Sequence, residues 1–393
     1  MTSTVIGCGA AGTKALITLI EKGVVSRNSA HIVNSTLRDV PKEYKDIALI
    51  ISEDDRVGGC GKEREQGKAL MLEYIKNHNF DVSELLNPND ETCTIIAAPE
   101  GGTGSGASVV LAEKISEFVP VHIFMLNGFE DDPRGIKNTI NYFKDLSEEY
   151  VVEAISNKKF LRDTGSRLRA EAAANNELAD RLMIYLGNPI VESAQNIDPT
   201  DHYKIITRPG FMDVEIVQLE KVKNLEQMTK ILQDAIDNTH SIDFTPSAGI
   251  IAVYINASDK TADLVTASFD LLKENFGVPF EIFHHIQYEG DNEWCAIIAS
   301  GMKLPIEEVE AIYKKYIKES NRVDKSSDTF FGSVGKLTEI EDDDMFNIND
   351  RRRRPGAGNK TPEPKQDNKG FQGTRKQTVK LVERSTKEDI DEY

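Results

Sequence analysis

Two glycine-rich turns, Gly7-Cys-Gly-Ala-Ala-Gly12 and Gly101-Gly-Thr-Gly-Ser-Gly106, each stand between an apolar strand and a helix, and this repeated device constrains the fold most. The first follows Ser3–Ile6 and opens a helix over Thr13–Glu21; the second follows Thr92–Ala98 and opens one over Ala107–Phe118. Bare backbone N–H groups at a helix N-terminus attract anionic oxygens, and glycine allows the close approach that a Cβ would block. Two such turns on neighbouring strands therefore predict a cradle for a polyphosphate. Further strands are expected at Ala30–Val33, Ile47–Ile51, His122–Leu126 and Val151–Ile155, an alternation with helices that predicts an α/β fold around a mostly parallel sheet. Ligands of such sheets bind beyond the carboxyl ends of the strands, where all the candidate loops fall.

Three kinds of phosphate loop could own the first turn. A Walker A loop needs Lys directly after its last glycine, whereas Gly12 is followed by Thr13 and only then by Lys14. A dinucleotide-binding turn has the spacing seen here, but it needs an acidic ribose ligand about twenty residues on, at the end of the second strand. That strand ends instead in Asn34-Ser35-Thr36, and a nicotinamide-dependent oxidoreductase would leave the second turn unexplained.

The third kind is carried by Glu100-Gly-Gly-Thr-Gly-Ser-Gly106, which resembles the Gly-Gly-Gly-Thr-Gly-Ser/Thr-Gly signature of the tubulin/FtsZ superfamily. Only Glu100 departs from it, putting a carboxylate where phosphate would repel it unless it points away or faces Mg²⁺. A second match is Asn196-Ile-Asp-Pro-Thr-Asp201, which reproduces the Asn-x-Asp-x-x-Asp loop that completes a neighbour's active site in filaments of that superfamily. Taken alone the same residues could be an ordinary Asx/Pro turn, since Asn, Asp and Pro favour turns for local reasons.

Carried over residue by residue, the resemblance implies GTP or GDP bound by Gly7, Cys8, Gly9, Ala10, Ala11 and Gly12, by Asn34, and by Gly101, Gly102, Thr103, Gly104 and Ser105. Cys60 and Gly61, in Val57-Gly-Gly-Cys-Gly-Lys-Glu-Arg-Glu65, resemble the tip of the loop that reaches the γ-phosphate. Glu130 and Arg134 are similar to the loop that contacts ribose and the base or phosphate edge. Asn157 and Asn176 match the amides that read guanine, the latter at the start of the long central helix, but the ring expected to stack on the base is Ala172 here. Asp198, Asp201 and Asn196 are the implied catalytic residues, acting on the neighbouring subunit; Mg²⁺ is implied through the phosphates, with no metal ligand assigned to the protein. The resemblance covers roughly residues 1–320 and is strongest to the plasmid and phage members, the TubZ and PhuZ type. Dynamic head-to-tail filaments that segregate plasmids or position phage DNA are its implied function, with an FtsZ-like division protein and a non-catalytic nucleotide-binding scaffold as alternatives.

The rest of the 393 residues divides by character. Residues 1–166 form the expected Rossmann-like GTP-binding domain and 167–190 the long central helix. Residues 191–302 form a smaller α/β domain with its own sheet, including strands at Lys204–Thr207 and Asp213–Leu219. Residues 303–323 form a C-terminal helix, and 324–393 a charged tail expected to be disordered, since it has too little apolar surface to offset ordering entropy. That tail runs from the acidic Glu339–Asp344 into Arg351–Arg354, and its basic part is a candidate contact for a DNA-bound adaptor. A net charge of −18 argues against a body that coats nucleic acid. Cys8, Cys60, Cys93 and Cys295 lack metal-ligand spacing, and the apolar runs are of strand length, so a cytoplasmic protein without membrane contact is expected.

Overall fold

A computed structural model of the chain describes residues 1–52, 59–191, 197–219, 222–290 and 292–327. Asn196 and the acidic and arginine clusters of the tail lie outside the described residues.

The apolar runs become β1 (Ser3–Cys8), β2 (Ala30–Asn34), β3 (Ala48–Ile50), β4 (Thr92–Ala97), β5 (Val121–Asn127) and β6 (Val151–Ser156). Between them lie α1 (Gly9–Glu21), α2 (Arg64–His78), α3 (Thr103–Ile115) and α4 (Pro133–Asp145). α5 (Asn157–Thr164) and the long α6 (Arg167–Tyr185) follow β6. The second half adds α7 (Pro199–Ile206), β7 (Gly210–Gln218), α8 (Leu225–Asp237), β8 (Ile250–Asn256), α9 (Asp259–Thr266), α10 (Phe269–Phe276), β9 (Glu281–Gln287), β10 (Trp294–Met302) and α11 (Ile306–Ser327). No helix among the described residues is long and apolar enough to cross a membrane.

β1, β4, β5 and β6 are buried along their whole length, as strands covered on both faces must be. Leu16 and Leu19 of α1 and Leu178 and Leu182 of α6 cover one face. Leu111 of α3, Ile140 of α4 and Val309 of α11 cover the other.

Two expectations are corrected. Among the described residues the second half has no sheet of its own: one ten-stranded sheet runs β3-β2-β1-β4-β5-β6-β7-β10-β8-β9, with β10 antiparallel to both its neighbours. Its halves join where β7 pairs with β6 through Val151↔Gly210 and Val152↔Phe211, an edge that strand periodicity does not specify. Lys204–Thr207 is the end of α7 rather than a strand. His202, Ile205 and Ile206 are its buried residues, at the spacing of one helical face, while Asp198 caps it and Pro199 starts it.

The seam between β6 and β7 is braced by charge. Arg181, on α6 and 1% exposed, reaches Glu153 on β6 at 3.1 Å, Glu177 at 2.7 Å, and Asp213 and Glu215 on β7 at 3.4 Å each. Its Nη1 also donates to Ser241 Oγ at 2.9 Å. Burial disfavours the guanidinium charge, yet the surrounding carboxylates hold it protonated. Burial, with Asp213 beside it, pushes Glu215 up to about 8 against the pull of Arg181. Burial likewise raises Asp213. His240 is held above its ordinary value: burial opposes its charge, but Glu177 and Asp163 at 2.7 and 2.9 Å outweigh it.

These shifts share one sign. A group whose folded value is raised contributes fully below its unfolded value and loses that contribution as pH rises through the folded one. Thermal melts are therefore expected to show Tm falling from about pH 6.5 to about pH 8.5, with about 2–4 °C lost per kcal/mol. His31, His202 and His285 are depressed by burial, so their contribution is lost only below the ordinary histidine value, outside this window. Glu215→Gln should flatten the slope; an unchanged slope would show that the buried carboxyl is not titrating.

Candidate functional site

β1 ends at Cys8 and α1 begins at Gly9, whose φ of +68° is open to glycine at little cost. A Cβ on Gly9 would lie 2.8 Å from Gly104 N, and one on Gly104 would lie 2.7 Å from Cys8 O. The two turns therefore meet backbone to backbone, with Ala10 exposed and Ala11 half-buried at the rim. Gly7 and Gly12 pack on one another instead, Gly12 also against Ile96 O of β4.

A third loop, Cys60–Glu63, closes on the far side of the second turn. A Cβ on Gly102 would lie 2.7 Å from Cys60 Cβ and 3.0 Å from Glu63 N. Cys60 is buried rather than at an exposed tip, and Thr103 Oγ1 donates to its sulfur at 3.3 Å while lying 2.9 Å from Ser35 Oγ. Ser105 Oγ turns back to Gly101 O at 2.5 Å. With both hydroxyls of the second turn engaged within the protein and none in the first, the main chain is left to meet a ligand. The Cys8 thiol is pushed far up by burial and is no nucleophile.

Glu100 departs from the glycine signature without facing the turns. Its carboxyl packs against Gly128 and Gly135, at the junction of β5 and α4, and accepts the Glu130 N–H at 3.4 Å. Burial pushes it up to about 7, against that N–H and Lys62.

Around the turns, Asn34 ends β2, 1% exposed; its Oδ1 accepts the Ser35 N–H at 2.8 Å and its Nδ2 has no acceptor among the described residues. Asn157 opens α5 with its Oδ1 buried and without a donor among the described residues. Glu130, at φ +56°, receives Lys158 Nζ at 2.7 Å, and Arg134 pairs with Glu63. Asn176 is exposed in the middle of α6, not at its start. Ala172 is exposed, and Phe129, next to Glu130, carries the Arg167 guanidinium 4.7 Å from its ring centroid.

Asp198 and Asp201 are elsewhere. Asp198 caps α7, its Oδ1 accepting the Asp201 N–H at 2.8 Å. α7 borders a hollow of about 510 Å³ shared with Asp90, Glu91 and Pro120, which precede β4 and β5. It therefore lies at the starting ends of the parallel strands, whereas the glycine turns follow their finishing ends. His202 fixes it there: its Nε2 donates to Tyr185 O at 2.9 Å, so its Nδ1 accepts the Tyr254 hydroxyl at 2.7 Å.

Sequence reasoning missed Arg181 and Asn138. Asn138 is a buried α4 residue whose Nδ2 donates to Lys62 O at 2.9 Å and Glu100 O at 3.3 Å. Among the described residues no group of three or more His, Cys, Asp and Glu side chains could hold a metal ion.

No protein-family model matches the sequence, and no curated protein is similar to it. Solved structures match the fold. CetZ2 from Haloferax volcanii, in a GTPγS-bound protofilament, has a TM-score of 0.66 at 19% identity, over 82% of this chain and 100% of that one. TubZ from Bacillus thuringiensis serovar israelensis, in a GTPγS-form protofilament, has a TM-score of 0.64 at 15% identity, over 84% and 94%. The TubZ of Clostridium botulinum phage c-st, with its C-terminal tail truncated, has a TM-score of 0.60 at 16% identity, over 81% and 97%. The chain thus has the fold of the tubulin/FtsZ superfamily.

Proposed function

We propose that the chain is a GTPase that assembles head to tail into filaments and hydrolyses GTP where two subunits meet. One observation carries the reading: the glycine turns and the Asp198–Asp201 helix lie at opposite ends of the same parallel strands. A six-residue strand such as β4 spans about 20 Å, so a ligand on the turns cannot touch its own subunit's aspartates. Stacking one subunit's starting ends on the next one's finishing ends brings the two sets together. Such a contact is heterologous and does not close, so it grows a filament. That CetZ2 and TubZ among the structural matches are themselves protofilaments supports assembly into a filament.

The residues present fit a nucleoside triphosphate. Two turns offer main-chain N–H groups at helix N-termini, and among the described residues Asn34 Nδ2 is a buried donor lacking an acceptor and Asn157 Oδ1 a buried acceptor lacking a donor. Donor and acceptor amides suit a guanine edge, a phosphate or a ribose. Mg²⁺, held through the phosphates, would neutralise part of their charge. Glu100 supports this by directing its carboxyl into the β5–α4 junction, away from the turns.

In this reading the turns orient the phosphates, and Asp198 and Asp201 of the next subunit orient and polarise the attacking water. Hydrolysis then waits for assembly and weakens the contact that assembly made. The finer reading is a plasmid or phage cytoskeletal filament in which the charged tail contacts a DNA-bound adaptor.

The test is light scattering with parallel phosphate release on the full chain, titrated with GTP, GDP, ATP or NAD in Mg²⁺ buffer. A GTP-specific rise in scattering is expected, with phosphate release steepening above a threshold protein concentration. Binding of NAD without assembly would overturn the reading in favour of a dinucleotide enzyme.

A further inference from the structure

Among the described residues, α4 holds the loop Cys60–Glu63 from one side through three contacts of unequal character. Lys62 Nζ pairs with Asp132, the cap of α4, and Arg134 pairs with Glu63. Both are surface pairs, with side chains 45% and 31% exposed in the first and 48% and 39% in the second, a class that contributes little and tolerates many geometries. The third contact is buried. Asn138, 9% exposed, donates from one Nδ2 to two main-chain carbonyls, Lys62 O on the loop and Glu100 O at the mouth of the second glycine turn. Both partners are acceptors, so the amide orientation is forced, and the side chain sets the spacing between loop and turn.

The loop also needs holding, because Lys62 stands at φ +66°, in the left-handed region that a residue with a Cβ rarely adopts. The three phosphate-facing elements lie in a row: the first turn meets the second at Gly9 and Gly104, and the second meets the loop at Gly102 and Cys60. On the nucleotide reading, a diphosphate lies along the first two and a third phosphate extends to the loop.

We propose that Asn138 is a positioning residue that fixes the loop Cys60–Glu63 against the second glycine turn and thereby sets the preference for a nucleoside triphosphate over the diphosphate. This rests on the nucleotide reading of the site. Asn138 touches no ligand atom in it and acts through the carbonyls of Lys62 and Glu100.

The experiment is competition of GDP and of GTPγS against a fluorescent GDP analogue on the full chain, for wild type and for Asn138→Asp, which keeps the shape of the side chain but cannot donate. GTPγS affinity is expected to fall about tenfold, the scale of a lost buried hydrogen bond, with GDP affinity changed less than about twofold. If Asn138→Asp does not fold, Asn138→Ser, which keeps a small donor out of reach of both carbonyls, is read the same way. Equal weakening of both nucleotides, or of neither, would overturn the positioning role while leaving the nucleotide reading intact. Wild-type protein that binds neither nucleotide would overturn that reading and the positioning role with it.

Discussion

Asp198→Asn is expected to bind GTP as wild type does, to assemble into long persistent filaments, and to release phosphate about 10²-fold more slowly or worse, the usual cost of losing a group aimed at the developing charge of a transition state. Asparagine is the informative replacement because Asp198 has a structural duty as well. Its Oδ1 caps α7 by accepting the Asp201 N–H at 2.8 Å, and Asn caps helices as well as Asp does. Asp198→Ala would remove charge and cap together, adding about 1 kcal/mol of destabilisation to any catalytic loss. Pelleting and phosphate release on the same sample separate assembly from chemistry. The in trans assignment has its own check. An Asp198→Asn subunit keeps a sound nucleotide site, and a Gly104→Val subunit keeps sound aspartates while its Cβ collides with Cys8 O. Mixing the two should restore turnover that neither has alone. Phosphate release by Asp198→Asn at the wild-type rate would refute the assignment.

What the sequence made legible was whatever depends on spacing along the chain. The glycine turns could be read because Gly7–Gly12 and Gly101–Gly106 each interrupt a strand-to-helix pattern, and the structure brings Gly9 and Gly104 into contact. An Asx/Pro turn at Asp198 is legible too, yet the residues after it read as a strand and the helix that Asp198 caps is not legible. The Ile-Ile-Thr run at 205–207 has strand composition, and only the burial of His202 one turn earlier reveals the helical face. Contacts across the fold left weaker traces. Asp213 and Glu215 fall on one face of β7 by their alternation, and Glu153 stands among the apolar residues of 151–155, a pattern that signals a buried cation without saying which. Arg181 sits in an alanine-rich helix whose pattern does not single out a buried cation. Asn138 gave no signal, because its partners are main-chain carbonyls that every residue has. Likewise, the joining of β7 to β6 depends on which strand edges meet, and the strand pattern is silent on that.

Arg181→Met is expected to destabilise the protein by about 3–5 kcal/mol, because removing one partner from a buried ionic cluster leaves the others uncompensated. Against a total of roughly 5–15 kcal/mol this is a large fraction, and at about 2–4 °C per kcal/mol Tm should fall by about 6–20 °C. The charge count makes the effect larger than for an isolated pair. One guanidinium faces Glu153, Glu177, Asp213 and Glu215, so the cluster is already rich in negative charge and Glu215 is already pushed up to about 8. Two secondary results follow if electrostatics is the cause. The loss should shrink as pH is lowered toward about 6, where the orphaned carboxyls can take up protons. Asp213→Asn combined with Arg181→Met should recover part of the stability, whereas a loss due to packing alone would be neither pH-dependent nor rescued. The position of the cluster gives the result its weight. β6 and β7 share the register pairs Val151↔Gly210 and Val152↔Phe211, and beyond them the backbone of residues 240–242 bonds to β6 instead, with Ser156 N on His240 O at 2.8 Å and Ile242 N on Ala154 O at 3.0 Å. Arg181 crosses that gap, tying α6 to strands of both halves where sheet hydrogen bonds do not. If the variant melts within a few degrees of wild type, the apolar faces of α6 must be sufficient to hold the halves together, and the cluster would be a tolerated cost rather than the brace of the seam.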